Sequence, residues 1–137
     1  MVAKNKGKAG SAVFITFPGN CKEALSFYRS CFGGTLRLEP FETAIKPYKE
    51  IPIVSGILVA DSITIHGSDL VHNEGRKVGN YMAVFIDCKN AADRKKLLDK
   101  LVSDKKQLSI TNQKTYQLIE ITDVFDVRWV LGVNNLQ

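Results

Sequence analysis

Histidine and cysteine are scarce in this chain of 137 residues, which contains two histidines and three cysteines. The cysteines stand at positions 21, 31 and 88 without a CxxC pair, so the sequence predicts neither a disulfide framework nor a zinc site. No apolar run approaches the roughly 18 residues that a membrane-spanning helix needs. The basic N-terminal residues also lack the apolar stretch of a secretory signal. These absences predict a cytoplasmic protein with no membrane partner.

The net charge of +5 is concentrated in two short segments. Three lysines lie in residues 1–11, a Gly- and Ala-rich segment that we expect to be a disordered basic tail. Residues 89–106 carry seven cations and only three aspartates. No aromatic-rich basic strand or nucleic-acid-binding motif accompanies these segments, so we expect no nucleic-acid partner. A nucleic-acid binder that uses the tail is the alternative, and its binding would be lost when residues 1–11 are deleted.

The first half of the chain begins with a strand, a turn and a helix. Residues 12–17 are apolar and β-branched, as in a buried strand, and Pro18 and Gly19 then turn the chain. Asn20 is a good helix N-cap, and Glu23 three residues later completes the pattern of a capping box. Apolar residues follow at helical spacing until a pair of glycines, which ends the predicted helix.

The same order of elements recurs about 70 residues later. Residues 81–88 predict a strand, Asn90 and Asp93 repeat the cap spacing, and residues 91–102 predict a helix. Each helix is followed by three predicted strands, at 35–41, 56–60 and 62–67 in the first half and at 107–112, 116–122 and 127–133 in the second. Residues 42–54 lack a clear period and are interpreted as a loop over the surface or over a pocket mouth.

The pattern predicts an α+β fold of two tandem βαβββ modules in one domain, residues 12–137. The modules cover about residues 12–69 and 79–135. A ferredoxin-like sandwich is the alternative, but it leaves at least two of the predicted strands without a place.

Two stretches of the sequence resemble a known family. The run FPGNCKEALSFYRSCFGG, residues 17–34, is similar to the first module of PhnB-like proteins of the vicinal oxygen chelate superfamily. This superfamily includes glyoxalases, ring-cleaving dioxygenases, and bleomycin- and fosfomycin-resistance proteins. The run DVFDVRW, residues 123–129, resembles the family's D-x-F-G-x-x-W turn, with Asp126 in place of glycine. The resemblance implies sheets that curl around a shared cavity, and a homodimer.

Metal-binding members of this superfamily hold one divalent ion with His and Glu side chains from four strands. Counting from the helix caps and from the last turn, the corresponding positions here are Val13, His66, Ala83 and Val130. Three of these side chains cannot bind a metal, and one imidazole does not hold a catalytic ion against water. We therefore expect no cofactor, and a divalent metal is disfavoured.

Strand alternation then predicts which residues line the cavity. If Val13, Ala83 and Val130 face it, the same face carries Ile15, Phe17, Phe85 and Arg128, and Thr64 lies beside His66. Such a cavity suits a small amphipathic or anionic ligand whose carboxylate or phosphate is held by Arg128. Trp129 falls on the opposite face, against the helices.

Structural explanations of the same residues stay open. His66 is equally well explained as a structural strand histidine, and Arg128 as the ion-pair partner of Asp126 or Glu120. Cys21, near a helix N-terminus, is a candidate for a lowered thiol pKa, but no base is placed beside it by spacing. His72 is expected to be solvated.

The leading hypothesis is a metal-free, small-molecule-binding, PhnB-like protein whose ligand and catalytic residues the sequence does not identify. The alternative is a metal-dependent lyase, isomerase or dioxygenase with a shifted metal site built on His66 and Glu120. PhnB-like proteins often carry a methyltransferase or phosphonate-metabolism label. The sequence supports neither label, because no Gly-rich loop joins a strand to a helix as in nucleotide-binding sites.

Overall fold

A computed structural model describes residues 10–46, 48–70, 76–102, 108–110 and 118–133 of the chain. The chain divides into two compact units, Met1–Lys77 and Val78–Gln137, and this division falls between the two expected modules. In the described part, no helix is long and apolar enough to span a membrane. The expected disorder of residues 1–9 and the expected solvation of His72 concern positions outside the described residues.

The first unit is a four-stranded sheet with one helix. Its elements are β1 (Val13–Thr16), α1 (Cys21–Phe32), β2 (Thr35–Pro40), β3 (Ile53–Val59) and β4 (Thr64–Ser68). The strands are ordered β1-β4-β3-β2, with β1 parallel to β4 and the other neighbours antiparallel.

The second unit repeats this topology. Its elements are β5 (Val84–Cys88), α2 (Ala91–Leu101), β6 (Leu108–Ile110), β7 (Ile119–Thr122) and β8 (Arg128–Val133). The strand order is β5-β8-β7-β6, again with one parallel pair, between β5 and β8. The predicted βαβββ repeat is therefore confirmed. Strands β3, β5 and β7 each begin three residues away from their predicted starts: β5 begins at Val84, β7 at Ile119, and β3 at Ile53, inside the segment predicted as a loop.

Two glycines allow α1 to lie close against its sheet. A Cβ atom at Gly56 would lie 2.5 Å from Cδ1 of Leu25, and a Cβ atom at Gly67 would lie 2.9 Å from the ring of Phe17. Leu25, Tyr28 and Phe17 are fully buried or nearly so as a result. This close packing defines the helix-facing side of the sheet, on which the core of the first unit is built.

The core of the second unit is built around Trp129, which is completely buried, as predicted. Its indole Nε1 donates a hydrogen bond of 2.8 Å to Asp123, whose other carboxylate oxygen accepts from the amides of Phe125 and Val127. Asp126 has a φ angle of 69°, so it adopts the left-handed conformation expected of the residue that replaces glycine. The turn and the buried indole thus hold each other in place.

The two helices begin in different ways. Asn90 caps α2 as predicted, by accepting a hydrogen bond of 2.8 Å from the amide of Asp93. Asn20 is the N-cap residue of α1, as predicted, but its side chain makes no capping hydrogen bond. Instead Asp69, the residue after β4, accepts from the amides of Gly19 and Cys21 with one oxygen and from Ile53 with the other, at 2.9–3.1 Å.

Replacing the Asp69 carboxylate should destabilise the first unit. The variant Asp69→Asn presents an amide nitrogen to one of the three donors, and we expect the free energy of unfolding to fall by about 2–3 kcal/mol. Urea unfolding measures this change. Asp61→Asn, at an exposed turn, is the control and should change stability by less than about 0.5 kcal/mol. Equal effects of the two substitutions would contradict the structural role assigned to Asp69.

Candidate ligand-binding site

One row of side chains crosses all four strands of the first unit on the face opposite α1. In register, Phe14 of β1 lies beside His66 of β4, His66 beside Ile57 of β3, and Ile57 beside Arg37 of β2. We call these four residues the Phe14 row. Strands in a sheet are about 4.8 Å apart, so the row spans roughly 14 Å between its end strands.

The Phe14 row is open to a ligand along much of its length. Phe14 is 55% exposed, Arg37 is exposed, and His66 and Ile57 are half-buried. Among the described residues, neither the imidazole of His66 nor the guanidinium of Arg37 has a hydrogen-bond or ion-pair partner. The row therefore combines an aromatic ring, an imidazole and a cation that are available for binding.

The equivalent row of the second unit is more apolar. Phe85 of β5 lies in register with Val130 of β8, which pairs with Glu120 of β7. Phe85 is also 55% exposed, and the end of its ring lies over Gly132, where a Cβ atom would be 3.0 Å from Cζ. Gly132 thus lets the Phe85 ring lie against the sheet.

Arg128 lies on the same face but its guanidinium already has partners. Nη1 donates to the backbone oxygens of Asn80 at 2.7 Å and Met82 at 3.0 Å, and Nη2 forms an ion pair with Glu120. The structural explanation of Arg128 as a partner of Glu120 is confirmed. Anion binding by Arg128 stays a prediction, and it would require Arg128 to leave these partners.

The structure groups most of the predicted cavity residues as expected within each unit. Thr64 and His66 share the face opposite α1, and Phe85, Arg128 and Val130 share the face opposite α2. The placement of Ile15 and Phe17 beside His66 is wrong. Both lie with Val13 on the helix-facing side of β1, and Phe17 is only 1% exposed.

The connection between β1 and α1 explains this error. Phe17 and Cys88 are equivalent buried residues, but Pro18, Gly19 and Asn20 follow the first, whereas only Lys89 and Asn90 follow the second. The additional residue is accommodated at Gly19, whose φ of +122° favours glycine. Counting back from the helix caps is therefore wrong by one position in the first unit.

Residues 48–51 of the predicted loop line a separate pocket of about 660 Å³ at the start of α1. The last two residues of the segment 42–54 belong to β3, and the position of the rest over the surface or over a pocket mouth stays a prediction. The hydroxyl of Tyr48 donates to the backbone oxygen of Asp69 at 2.9 Å, and its ring packs against Gly19. Lys22 and Lys49 give the pocket wall two cations, and Glu23, Glu50 and Asp69 give it three acidic side chains.

Cys21 is not suited to nucleophilic chemistry. Burial and, to a smaller extent, the negative charge of Asp69 raise the pKa of its thiol to about 12. This is opposite to the lowered pKa considered from its position near the helix N-terminus. The Cys21 sulfur instead lies in the core, 3.1 Å from where a Cβ atom of Gly67 would be.

Comparisons with known proteins identify the fold. No family model and no curated protein matches the sequence. Among solved structures, protein PA1353 from Pseudomonas aeruginosa superposes with a TM-score of 0.75 at 23% identity, over 93% of this chain and 98% of that one. A putative 3-demethylubiquinone-9 3-methyltransferase, PhnB protein, from Bacillus cereus gives 0.73 at 17% identity, over 92% and 100%.

A third structure extends the likeness to the wider superfamily. A glyoxalase/bleomycin resistance protein/dioxygenase superfamily member from Sphaerobacter thermophilus gives a TM-score of 0.55 at 15% identity, over 92% of this chain and 98% of that one. The chain has the vicinal oxygen chelate fold. The resemblance seen in the sequence is confirmed at this level, which concerns architecture and not activity.

The donor set does not fit the metal that the vicinal oxygen chelate fold commonly holds. The side chain in register with His66 is Phe14 and not the predicted Val13. The side chain in register with Val130 is Phe85 and not the predicted Ala83, which precedes β5. Three of the four side chains in these two register pairs have no donor atom for a metal. Within the described residues, no group of three or more His, Cys, Asp or Glu side chains is arranged to hold a metal ion.

The raised pKa of Cys21 predicts slow alkylation in the folded protein. At about pH 8.5, roughly one thiol in a thousand or fewer would be ionised, and the side chain is buried. Iodoacetamide labelling followed by peptide mass spectrometry measures the rate, with urea-unfolded protein as the control in which all three cysteines react. Labelling of Cys21 in the folded protein at the unfolded rate would contradict the assignment.

Proposed function

We propose that this chain is a small-molecule-binding protein of the vicinal oxygen chelate fold that binds its ligand without a metal. In each unit, the sheet face opposite the helix is a proposed binding surface. The observation that supports the proposal is that Phe14 stands in register with His66 and Phe85 with Val130, so three of these four side chains have no donor atom for a metal. Binding is favoured over catalysis because these apolar side chains replace the groups that would activate a substrate.

The remaining side chains of these faces are suited to recognition. His66 offers one hydrogen-bonding imidazole beside the exposed ring of Phe14, and Thr64 adds a hydroxyl on the same face. Phe85 and Val130 offer apolar contact area. A few polar groups within a mainly apolar surface are typical of sites that bind small organic molecules.

The second candidate is an enzyme with a shifted metal site built on His66 and Glu120. The ion pair between Glu120 and Arg128 argues against it, because the carboxylate is already neutralised within its own unit. A metal ion would have to displace the guanidinium, which also holds two backbone carbonyls. We therefore place the metal-free binding protein first.

The proposal includes a homodimer in the cytoplasm. Val78, Tyr81 and Met82 are 57%, 87% and 68% exposed, and apolar groups exposed close together are common at protein interfaces. Sedimentation is expected to give the mass of two chains, and a monomer at micromolar concentration would contradict this part of the proposal. The three free cysteines are consistent with a reducing compartment.

Metal titration and ligand mapping test the proposed function together. Calorimetric titration with Mn²⁺, Ni²⁺ or Zn²⁺ should show no stoichiometric binding, and His66→Ala should behave as the unaltered protein does. Glu120→Gln tests the shifted site. A metal site built on His66 and Glu120 would lose affinity in both His66→Ala and Glu120→Gln, whereas a site that uses His66 alone would lose it only in His66→Ala. One tightly held ion per chain that is lost in His66→Ala would overturn the metal-free proposal.

The second measurement locates the ligand. A fragment library added to isotope-labelled protein should shift the amide NMR signals of the strands that carry Phe14, His66, Phe85 and Val130. Shifts confined to the outer surfaces of α1 and α2 would place binding elsewhere and overturn the assignment of the sheet faces.

A further inference from the structure

We infer that the ligand of the Phe14 row is an organic anion with a planar apolar ring, the ring lying against Phe14 and the anionic group against Arg37. This inference rests on the proposed function and adds the chemical class of the ligand. It follows from the order of side chains along the row, which changes from aromatic to cationic across the sheet.

The aromatic end of the row is Phe14. It lies on β1, an outer strand of the sheet, and its side chain is 55% exposed although it belongs to an apolar strand. An exposed phenylalanine on a sheet face gains free energy when another ring packs on it, through burial and through offset stacking. Phe14 therefore favours a ligand with a ring.

The middle of the row restricts the chemical class of the ligand further. His66 and Ile57 are half-buried register partners on the two inner strands, and the neighbouring pair on this face is Thr64 and Val59. This part of the face presents apolar surface with one imidazole and one hydroxyl. It suits the apolar body of a ligand with at most one or two polar atoms.

The cationic end of the row is Arg37 on β2, the opposite outer strand. Its guanidinium has no partner among the described residues, in contrast to that of Arg128. The nearest acidic position on this face is Glu39, which is two residues further along β2 and pairs with Ser55 rather than with Ile57. Arginine binds carboxylate and phosphate through paired hydrogen bonds, so this end of the row selects an anionic group.

The length of the row sets the shape of the ligand. Its end strands are roughly 14 Å apart, and the long arginine side chain can shorten the distance to an anion bound in the middle. A single acid group without a ring would contact only Arg37, and an uncharged ring only Phe14. A rigid two-ring carboxylate reaches both.

Three probes test this inference by calorimetric titration: biphenyl-4-carboxylate, the uncharged biphenyl-4-carboxamide, and the ringless octanoate. We expect the biphenyl carboxylate to bind about tenfold more tightly than either of the others. Arg37→Gln should remove the advantage of the carboxylate over the carboxamide. Phe14→Leu should weaken both biphenyl probes by about three- to tenfold, because it keeps apolar area but removes the ring.

Matched controls exclude unspecific effects of charge and of aromatic loss. Arg29→Gln removes the same charge from α1, on the other side of the sheet, and Phe41→Leu replaces a phenylalanine outside the row. Both should bind all three probes as the unaltered protein does. Urea unfolding checks that each variant is folded, which is expected because Phe14 and Arg37 are exposed.

Two results would overturn the inference. Equal binding of the carboxylate and the carboxamide, unaffected by Arg37→Gln, would show that the site does not select an anion. If that binding still weakens in Phe14→Leu, the proposed function stands and only the ligand class fails. No binding of the two-ring carboxylate would also overturn the inference, and the NMR fragment screen then decides the proposed function separately.

Discussion

The carboxylate of Asp69 is the contact on which the geometry of the first unit depends. It joins three segments that are distant in sequence, the turn at Gly19, the start of α1 at Cys21 and the start of β3 at Ile53, through three backbone amides. A buried carboxylate is stable only when its oxygens are satisfied in this way. By fixing where β1 ends and α1 begins, Asp69 also fixes which alternate residues of β1 face the helix.

The sequence could predict the contacts between neighbouring residues but not those between distant segments such as the contacts of Asp69. The cap of α2 was predictable because Asn90 and Asp93 are three residues apart, and the face of Phe85 followed correctly. The cap of α1 comes from Asp69, 48 residues after Cys21, and no local pattern identifies it. The repeated order of elements could still be predicted, because hydrophobic periodicity does not depend on which residue caps the helix.

The candidate site was predictable only in part, for a similar reason. The sequence predicts that His66 and Thr64 share a face because they belong to one strand. Phe14 and Ile57 lie beside His66 through strand pairing, which only the structure shows. A signal for Arg37 was present, since Leu36 and Leu38 flank it with strand alternation. Arg128, the arginine that the sequence predicts for anion binding, pairs instead with Glu120 and is part of the structure of the second unit.

The turn at Pro18, Gly19 and Asn20 has a consequence for how this chain can change by mutation. Surface turns usually accept insertions and deletions, because nothing inside the fold depends on their length. Here a single deletion would draw β1 toward α1 by one position, which would turn Phe17 out of the core and Phe14 into it. The length of the turn is thus constrained, and so is the glycine at position 19, because its φ of +122° and the adjacent Tyr48 ring disfavour a side chain. The length of this turn decides that Phe17 is buried against the helix and that Phe14 lies on the opposite face.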